Sequence, residues 1–299
     1  MTRIFGAALA AGLLWAAPAT AQDDFTPTRE NVIYGMVSGA ALLMDVYAPE
    51  ESNGVGVIVI PGSGWYMPEI YSVPPLKDLS NRDYIRGAVA ALTEEGFTAF
   101  VINHRSSPGH RFPAAVDDTR RAVRFVRAMA EQFGIDPEYM GIIGHSSGGN
   151  LAAMAAYMDD MPGNGVDPID QQSSAVQAVV TLAAPFHLHD LENVDAYGAQ
   201  TVAMYTGDPY FGLDNHYETT PPAAILASPT YYVDENDPPH YMVWSTDDPV
   251  VDASQAEHMR AALYAAGARY ELVEVETGEH TPDFDRAAMA AWLESVLAQ

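Results

Sequence analysis

Apolar residues along this chain arrive in short, dense runs, at 41–47, 54–60, 97–103, 140–145, 178–184, 240–245 and 270–275. Several are nearly unbroken Val, Ile, Leu, Met and Ala, the composition of strands covered on both faces. Between them, 85–95, 114–133, 147–158, 253–266 and 285–297 carry helical spacing with few breakers. Strand and helix therefore alternate, which predicts the α/β class: a mostly parallel central sheet flanked by helices on both faces. No repeat, heptad run or low-complexity linker divides the chain, so one domain over 22–299 is expected. Two segments break the rhythm. Residues 62–83 are proline-rich and carry Trp65, Tyr66 and Tyr71, and 185–237 form a long, irregular, aromatic stretch that reads as a cap or insertion.

Composition narrows the picture. The 299 residues are 48% hydrophobic and 18% charged, which excludes disorder as the main state. The first 21 residues place Arg3 before an apolar run at 4–17 and the small-residue close Ala19-Thr20-Ala21, the pattern of an export leader, so a periplasmic or secreted mature chain from Gln22 is expected. Beyond residue 21 no apolar stretch reaches about 18 residues, so no membrane span is expected in the mature chain. Fourteen basic residues, of which Lys77 is the only lysine, stand against 40 acidic ones, a net charge of −26 that repels nucleic acid and anionic lipid. The absence of cysteine removes disulfides, thiolate metal sites and a cysteine nucleophile.

The chemistry concentrates at Gly144-x-Ser146-x-Gly148, set between an apolar strand and an Ala-rich helix. A sharp strand-to-helix turn of this kind exposes a serine hydroxyl, and glycines two residues to either side remove the Cβ atoms that would collide there. Ser147 lacks that spacing, because His145 stands where its first glycine would be. A serine hydroxyl needs a base to take its proton during attack. His280, in the loop after the last strand run, is the best placed histidine; His258 falls in a helical pattern, His240 precedes a strand, and His187, His189 and His216 lie in the insertion. Asp248, following the 240–245 run, would orient the imidazole, with Asp247 its neighbouring competitor. For the negative charge that develops on an acyl oxygen, the expected donors are the N–H groups of Ser147, Ser63 and Gly64, the last two in the glycine loop Pro61-Gly-Ser-Gly-Trp65.

Taken with Leu42-Leu-Met-Asp-Val-Tyr-Ala-Pro49, His104-Arg-Ser-Ser-Pro-Gly-His-Arg-Phe-Pro-Ala-Ala-Val-Asp-Asp118, Ala122-Val-Arg-Phe-Val126 and Gly134-Ile-Asp-Pro137, these motifs resemble the hormone-sensitive-lipase-like and bacterial feruloyl-esterase-like (BD-FAE) esterases of the α/β-hydrolase superfamily. The resemblance covers nearly the whole mature chain. It implies the α/β-hydrolase fold, a carboxylic ester hydrolase without cofactor or metal, and a triad that maps onto Ser146, Asp248 and His280 in the chain order of that fold. The family's His-Gly-Gly-Gly-Trp loop reads Pro61-Gly-Ser-Gly-Trp65 here, so Ser63 must adopt the dihedrals of a glycine or the loop must differ. Trp65, Tyr66 and Tyr71 are expected to line the substrate pocket, and the substrate is expected to be a small-molecule or carbohydrate ester. Arg105 with Asp117 or Asp118 reads as structural, and Arg120, Arg121, Arg124 and Arg127 as partners of surface acids. His187-x-His189-Asp190 is weak evidence for a metal. A prolyl-oligopeptidase-type exopeptidase and a catalytically silent binding module remain alternatives on the same fold.

Overall fold

The computed structural model describes residues 25–66, 75–81, 83–161, 166–189, 196–207 and 223–297. The expected leader, Tyr71, Asp190 and His216 lie outside these residues. The elements are β1 (Arg29–Val37), β2 (Ala40–Tyr47), β3 (Gly56–Ile60), α1 (Asp83–Glu94), β4 (Thr98–Ile102), α2 (Ala114–Ala128), α3 (Ala130–Phe133), β5 (Met140–His145), α4 (Ser147–Tyr157), β6 (Ala178–Leu182), α5 (Ala196–Thr206), α6 (Ala223–Leu226), β7 (His240–Ser245), α7 (Ser254–Ala266), β8 (Tyr270–Val275) and α8 (Arg286–Leu297).

The strands form one open eight-stranded sheet in the order β1-β2-β4-β3-β5-β6-β7-β8. β1 and β2 run antiparallel to their neighbours, while β3 to β8 are parallel. Every residue of β3, β4, β5, β6 and β7 is buried, in keeping with their largely apolar sequences. Alternation along each strand then sorts side chains between two cores. Ile58 and Ile60 face one layer with Val123 and Val126 of α2 and Leu151 and Met154 of α4, whereas Val57, Val59 and Ile143 face the other with Ile85 and Leu92 of α1 and Leu293 and Leu297 of α8. Each such side chain contributes about 1.5–3 kcal/mol through removal from water.

Two expectations change. The strand β1 carries Arg29, Glu30 and Asn31 and buries few of its residues, so no apolar run marks it; it forms because β2 offers an antiparallel edge. The helix expected over 114–133 divides at Met129, and α3 closes on Gly134 at φ 69°, a left-handed conformation suited to glycine. The arginines of α2 also differ from expectation. Arg121 pairs with Asp167 at 2.7 Å and with Asp170, but Arg124 donates to the carbonyls of Gln172 and Met161, and Arg127 to those of Pro137, Ser173 and Ala175. Arg120 reaches Ser174 Oγ at 3.0 Å and the Asp159 carbonyl. The fork of guanidinium donors thus satisfies the carbonyls of a segment with little regular structure to satisfy them itself. Of the two candidate acids, Asp118 holds Arg105 at 2.7 Å; Asp117 is exposed.

Candidate active site

The parallel strands deliver four loops to their shared carboxyl edge, those after β3, β5, β7 and β8, and the expected residues stand on them. Ser146 sits between β5 and α4 at φ 53° and ψ −126°, strained for a residue with a Cβ. The strain is held from all sides. Ser146 N–H donates to the Leu182 carbonyl at 2.8 Å, and its own carbonyl receives Gly149 N–H at 2.9 Å and Asn150 N–H at 3.1 Å. A Cβ on Gly144 would lie 2.1 Å from the Gly148 carbonyl oxygen, and one on Gly148 would lie 2.2 Å from that of Ile60. Neither position tolerates any other residue without backbone displacement.

The Ser146 hydroxyl lies 2.9 Å from His280 Nε2, and His280 Nδ1 lies 2.8 Å from Asp248 Oδ2. This network assigns the proton to Nδ1, leaving Nε2 to accept from the serine. The Asp248 side chain is 2% exposed and that of His280 is 19% exposed, so the acid is enclosed while the imidazole edge reaches solvent. Asp248 Oδ1 also receives the N–H groups of Val250 at 2.8 Å and Val251 at 3.0 Å, which fix the carboxyl plane. The neighbouring Asp247 has a different task. Its Oδ1 accepts Gly278 N–H at 2.8 Å and the Ser245 hydroxyl at 3.1 Å, so it anchors the turn that leads to His280.

The glycine loop after β3 lies against the serine. A Cβ on Gly62 would come within 2.8 Å of Ser146 Cβ. The positive φ values fall on Gly64, at 64°, and Trp65, at 53°, so Ser63 escapes the left-handed conformation that the loss of glycine made a concern. Its N–H, however, does not face the expected direction: it donates to Ser147 Oγ at 2.9 Å. Ser147 is the first residue of α4, where backbone N–H groups have no partner within the helix. Of the three expected donors, the N–H groups of Ser147 and Gly64 remain, and the Ser63 N–H serves to tie the loop to the helix.

Trp65 departs further from its expected place. It is 3% exposed and stacks on Tyr205 of α5 at 4.4 Å with the rings 3° apart, while its carbonyl accepts both the N–H and the hydroxyl of Ser107. It therefore braces the wall between the glycine loop and α5 rather than presenting its face to a substrate. Tyr66 is half-buried beside Ser107. Sequence reasoning passed over α5, whose Thr201 methyl would meet a Cβ on Gly64 at 3.0 Å. Nothing in the local pattern of 185–237 marks that contact, because its partner lies about 140 residues earlier in the chain.

His187, His189 and His258 gather away from the triad. His187 stacks on His258 at 4.3 Å and meets the tilted His189 ring at 3.9 Å, and its Nδ1 lies 3.0 Å from Thr230 Oγ1. Among the described residues no group of three or more His, Asp or Glu is placed to hold a metal. Among those residues, too, no helix is long and apolar enough to cross a membrane.

The chain is similar to known proteins in fold and in sequence. A truncated form of a carbohydrate esterase from gut microbiota superposes with a TM-score of 0.73 at 26% identity, covering 93% of this chain and 99% of that one. Esterase LipQ of Mycobacterium tuberculosis is 30% identical over 88% of this chain, and an acetylxylan esterase of Xylanibacter ruminicola is 31% identical over 38% of it. The chain spans 59% of the length of LipQ and 22% of the length of the acetylxylan esterase. A sequence model of the BD-FAE family matches residues 44–263, and with the open, mostly parallel sheet and its edge loops this places the chain in the BD-FAE family of α/β-hydrolases.

Proposed function

We propose that the protein is a carboxylic ester hydrolase that works through an acyl-enzyme on Ser146. The observation that carries this reading is the continuous line from Ser146 Oγ to His280 Nε2 at 2.9 Å and from His280 Nδ1 to Asp248 at 2.8 Å, formed at a strained elbow. The serine oxygen attacks the acyl carbon while its proton passes to His280 Nε2. Asp248 holds the imidazole in the receiving tautomer and stabilises the imidazolium. Negative charge on the former carbonyl oxygen meets the N–H groups of Ser147 and Gly64, and loss of one such donor typically costs about 2.7–4 kcal/mol. His280 then returns the proton to the departing alkoxide, and water, deprotonated by the same nitrogen, releases the acid and restores the serine.

The substrate reading is an acyl group carried by a carbohydrate or other small alcohol. It is supported by the two relatives that are a carbohydrate esterase and an acetylxylan esterase. The helix α5 would wall the pocket, and an export leader at 1–21 would place the enzyme with extracellular polymers. The test is turnover of p-nitrophenyl acetate and release of acetate from acetylated xylan by the purified full chain, beside Ser146→Ala. A fluorophosphonate adduct mapped to Ser146 and loss of turnover in the variant are expected. Equal turnover by both proteins would refute the reading.

A further inference from the structure

We propose that His145 is a positioning residue that fixes the distance between nucleophile and base without touching either reacting atom; the proposal rests on the hydrolase reading above. His145 ends β5 and precedes Ser146 directly. Its Nε2 lies 3.0 Å from the backbone carbonyl oxygen of His280, so the ring donates from the residue beside the serine to the backbone of the general base. The placement follows from strand alternation. Ile143 points to the α1 and α8 layer, and His145, two residues on, points the same way. The loop carrying His280 runs into α8 on that layer, which brings its carbonyl over the imidazole.

The ring is held on its other sides as well. It is 4% exposed, Tyr84 of α1 covers it at 4.1 Å, and the His280 ring lies 4.9 Å away. A Cβ on Gly62 would fall 2.6 Å from His145 Nδ1, so the glycine loop packs against the same imidazole. One side chain therefore touches the three segments that must agree in position: the elbow, the base loop and the glycine loop. The hydrogen bond between Ser146 and His280 cannot hold that geometry alone, because it breaks and reforms as the proton moves. The bond from His145 persists through every step, since the carbonyl of His280 takes no part in the chemistry. A misplacement of about 1 Å at such a site costs on the order of a hundredfold in rate.

The test compares His145→Phe with His145→Gln in the full chain. Phe keeps an aromatic ring under Tyr84 and removes the donor; Gln loses the ring and places an amide N–H near the position of Nε2. Positioning by the hydrogen bond predicts that kcat on p-nitrophenyl acetate falls about ten- to a hundredfold in His145→Phe with KM within about twofold, and that His145→Gln recovers to within about fivefold of the parent. The rate of fluorophosphonate labelling of Ser146 should follow the same order. A role in packing alone predicts the reverse ranking, with Phe the better replacement. That ranking, or a full kcat in His145→Phe, would overturn the proposal while Ser146-dependent turnover by the parent left the hydrolase reading standing. Loss of turnover dependence on Ser146 would instead remove the reading beneath it. Thermal unfolding of both variants separates a folding defect from a kinetic one, and the kcat comparison is then made on the folded fraction titrated with fluorophosphonate.

Discussion

The backbone N–H of Ser63 donates to the side-chain hydroxyl of Ser147 at 2.9 Å, so the residue after the nucleophile holds the glycine loop with its side chain while its own N–H stays available. The two functions separate in Ser147→Ala. The variant keeps the N–H of residue 147 but frees the loop that carries Gly64. It should lower kcat by about tenfold, short of the two to three orders expected for loss of a whole donor, with Ser146 still labelled by fluorophosphonate. Steady-state kinetics at fixed pH provides the measurement, and an unchanged kcat would mean the loop is held in place without this bond.

The adjacent acids Asp247 and Asp248 part company in the same way. Asp248→Asn keeps the shape but favours the wrong imidazole tautomer, a change that costs about four orders of magnitude in serine proteases. A loss of that size in kcat, with little change in the melting temperature, is expected here. Asp247→Asn still offers an oxygen to Gly278 N–H and should retain kcat within a few fold, whereas Asp247→Ala loosens the turn and should lower stability by about 1 kcal/mol. Equal kinetic losses in the two Asn variants would contradict this division.

Gly148→Ala tests the elbow by sterics alone. The added methyl would stand 2.2 Å from the Ile60 carbonyl oxygen, a contact that no rotamer relieves because both sides are backbone. Overpacking of this kind typically costs about 1–3 kcal/mol and more where the backbone cannot yield. The chemical denaturation midpoint should drop accordingly, and soluble yield with it. A variant of parental stability would show that the turn between β5 and α4 is wider than the structure describes.

What could be read from sequence follows the physics of each feature. Strands β5, β7 and β8 match their expected bounds because an unbroken apolar run between turn residues has few other solutions. The positions of Ser146, Asp248 and His280 at strand ends were legible for the same reason: a parallel sheet brings its carboxyl-end loops to one edge whatever their spacing in sequence. Asp248 was the expected carboxyl with Asp247 its competitor, and it is Asp248 that meets His280 Nδ1 at 2.8 Å while Asp247 turns to Gly278 N–H. The burial of Trp65 was not legible, since it depends on Tyr205 arriving from α5. The strand β1 escaped notice because an edge strand buried on one face carries a diluted apolar signal, here with Arg29, Glu30 and Asn31 at its start. His145 stood in plain view before Ser146, but a single histidine at the end of a buried strand has no local mark of its partner 135 residues away.

His240 predicts how the fold responds to acid. It is fully buried at the start of β7, with Nδ1 2.7 Å from the Tyr157 hydroxyl and Nε2 2.7 Å from Thr181 Oγ1. Burial pushes its pKa down to about 3 from the ordinary 6.5, because the charged imidazolium would lose its hydration there. The folded chain thus resists a proton that the unfolded chain accepts below about pH 6.5. Between that value and about 3 the unfolded state binds more protons, so stability rises with pH and is lost as pH falls, by up to about 1.4 kcal/mol per pH unit. In His240→Gln this contribution is absent. The variant should be less stable than the parent at pH 8, by about 1–3 kcal/mol if one hydroxyl is left without a partner, yet the two unfolding free energies should converge as pH is lowered from 6.5 to 4.5. Because the large negative charge of the chain titrates alike in both proteins, the difference between their denaturation curves isolates the histidine. Curves that stay parallel across that range would mean that the folded protein admits a proton at His240.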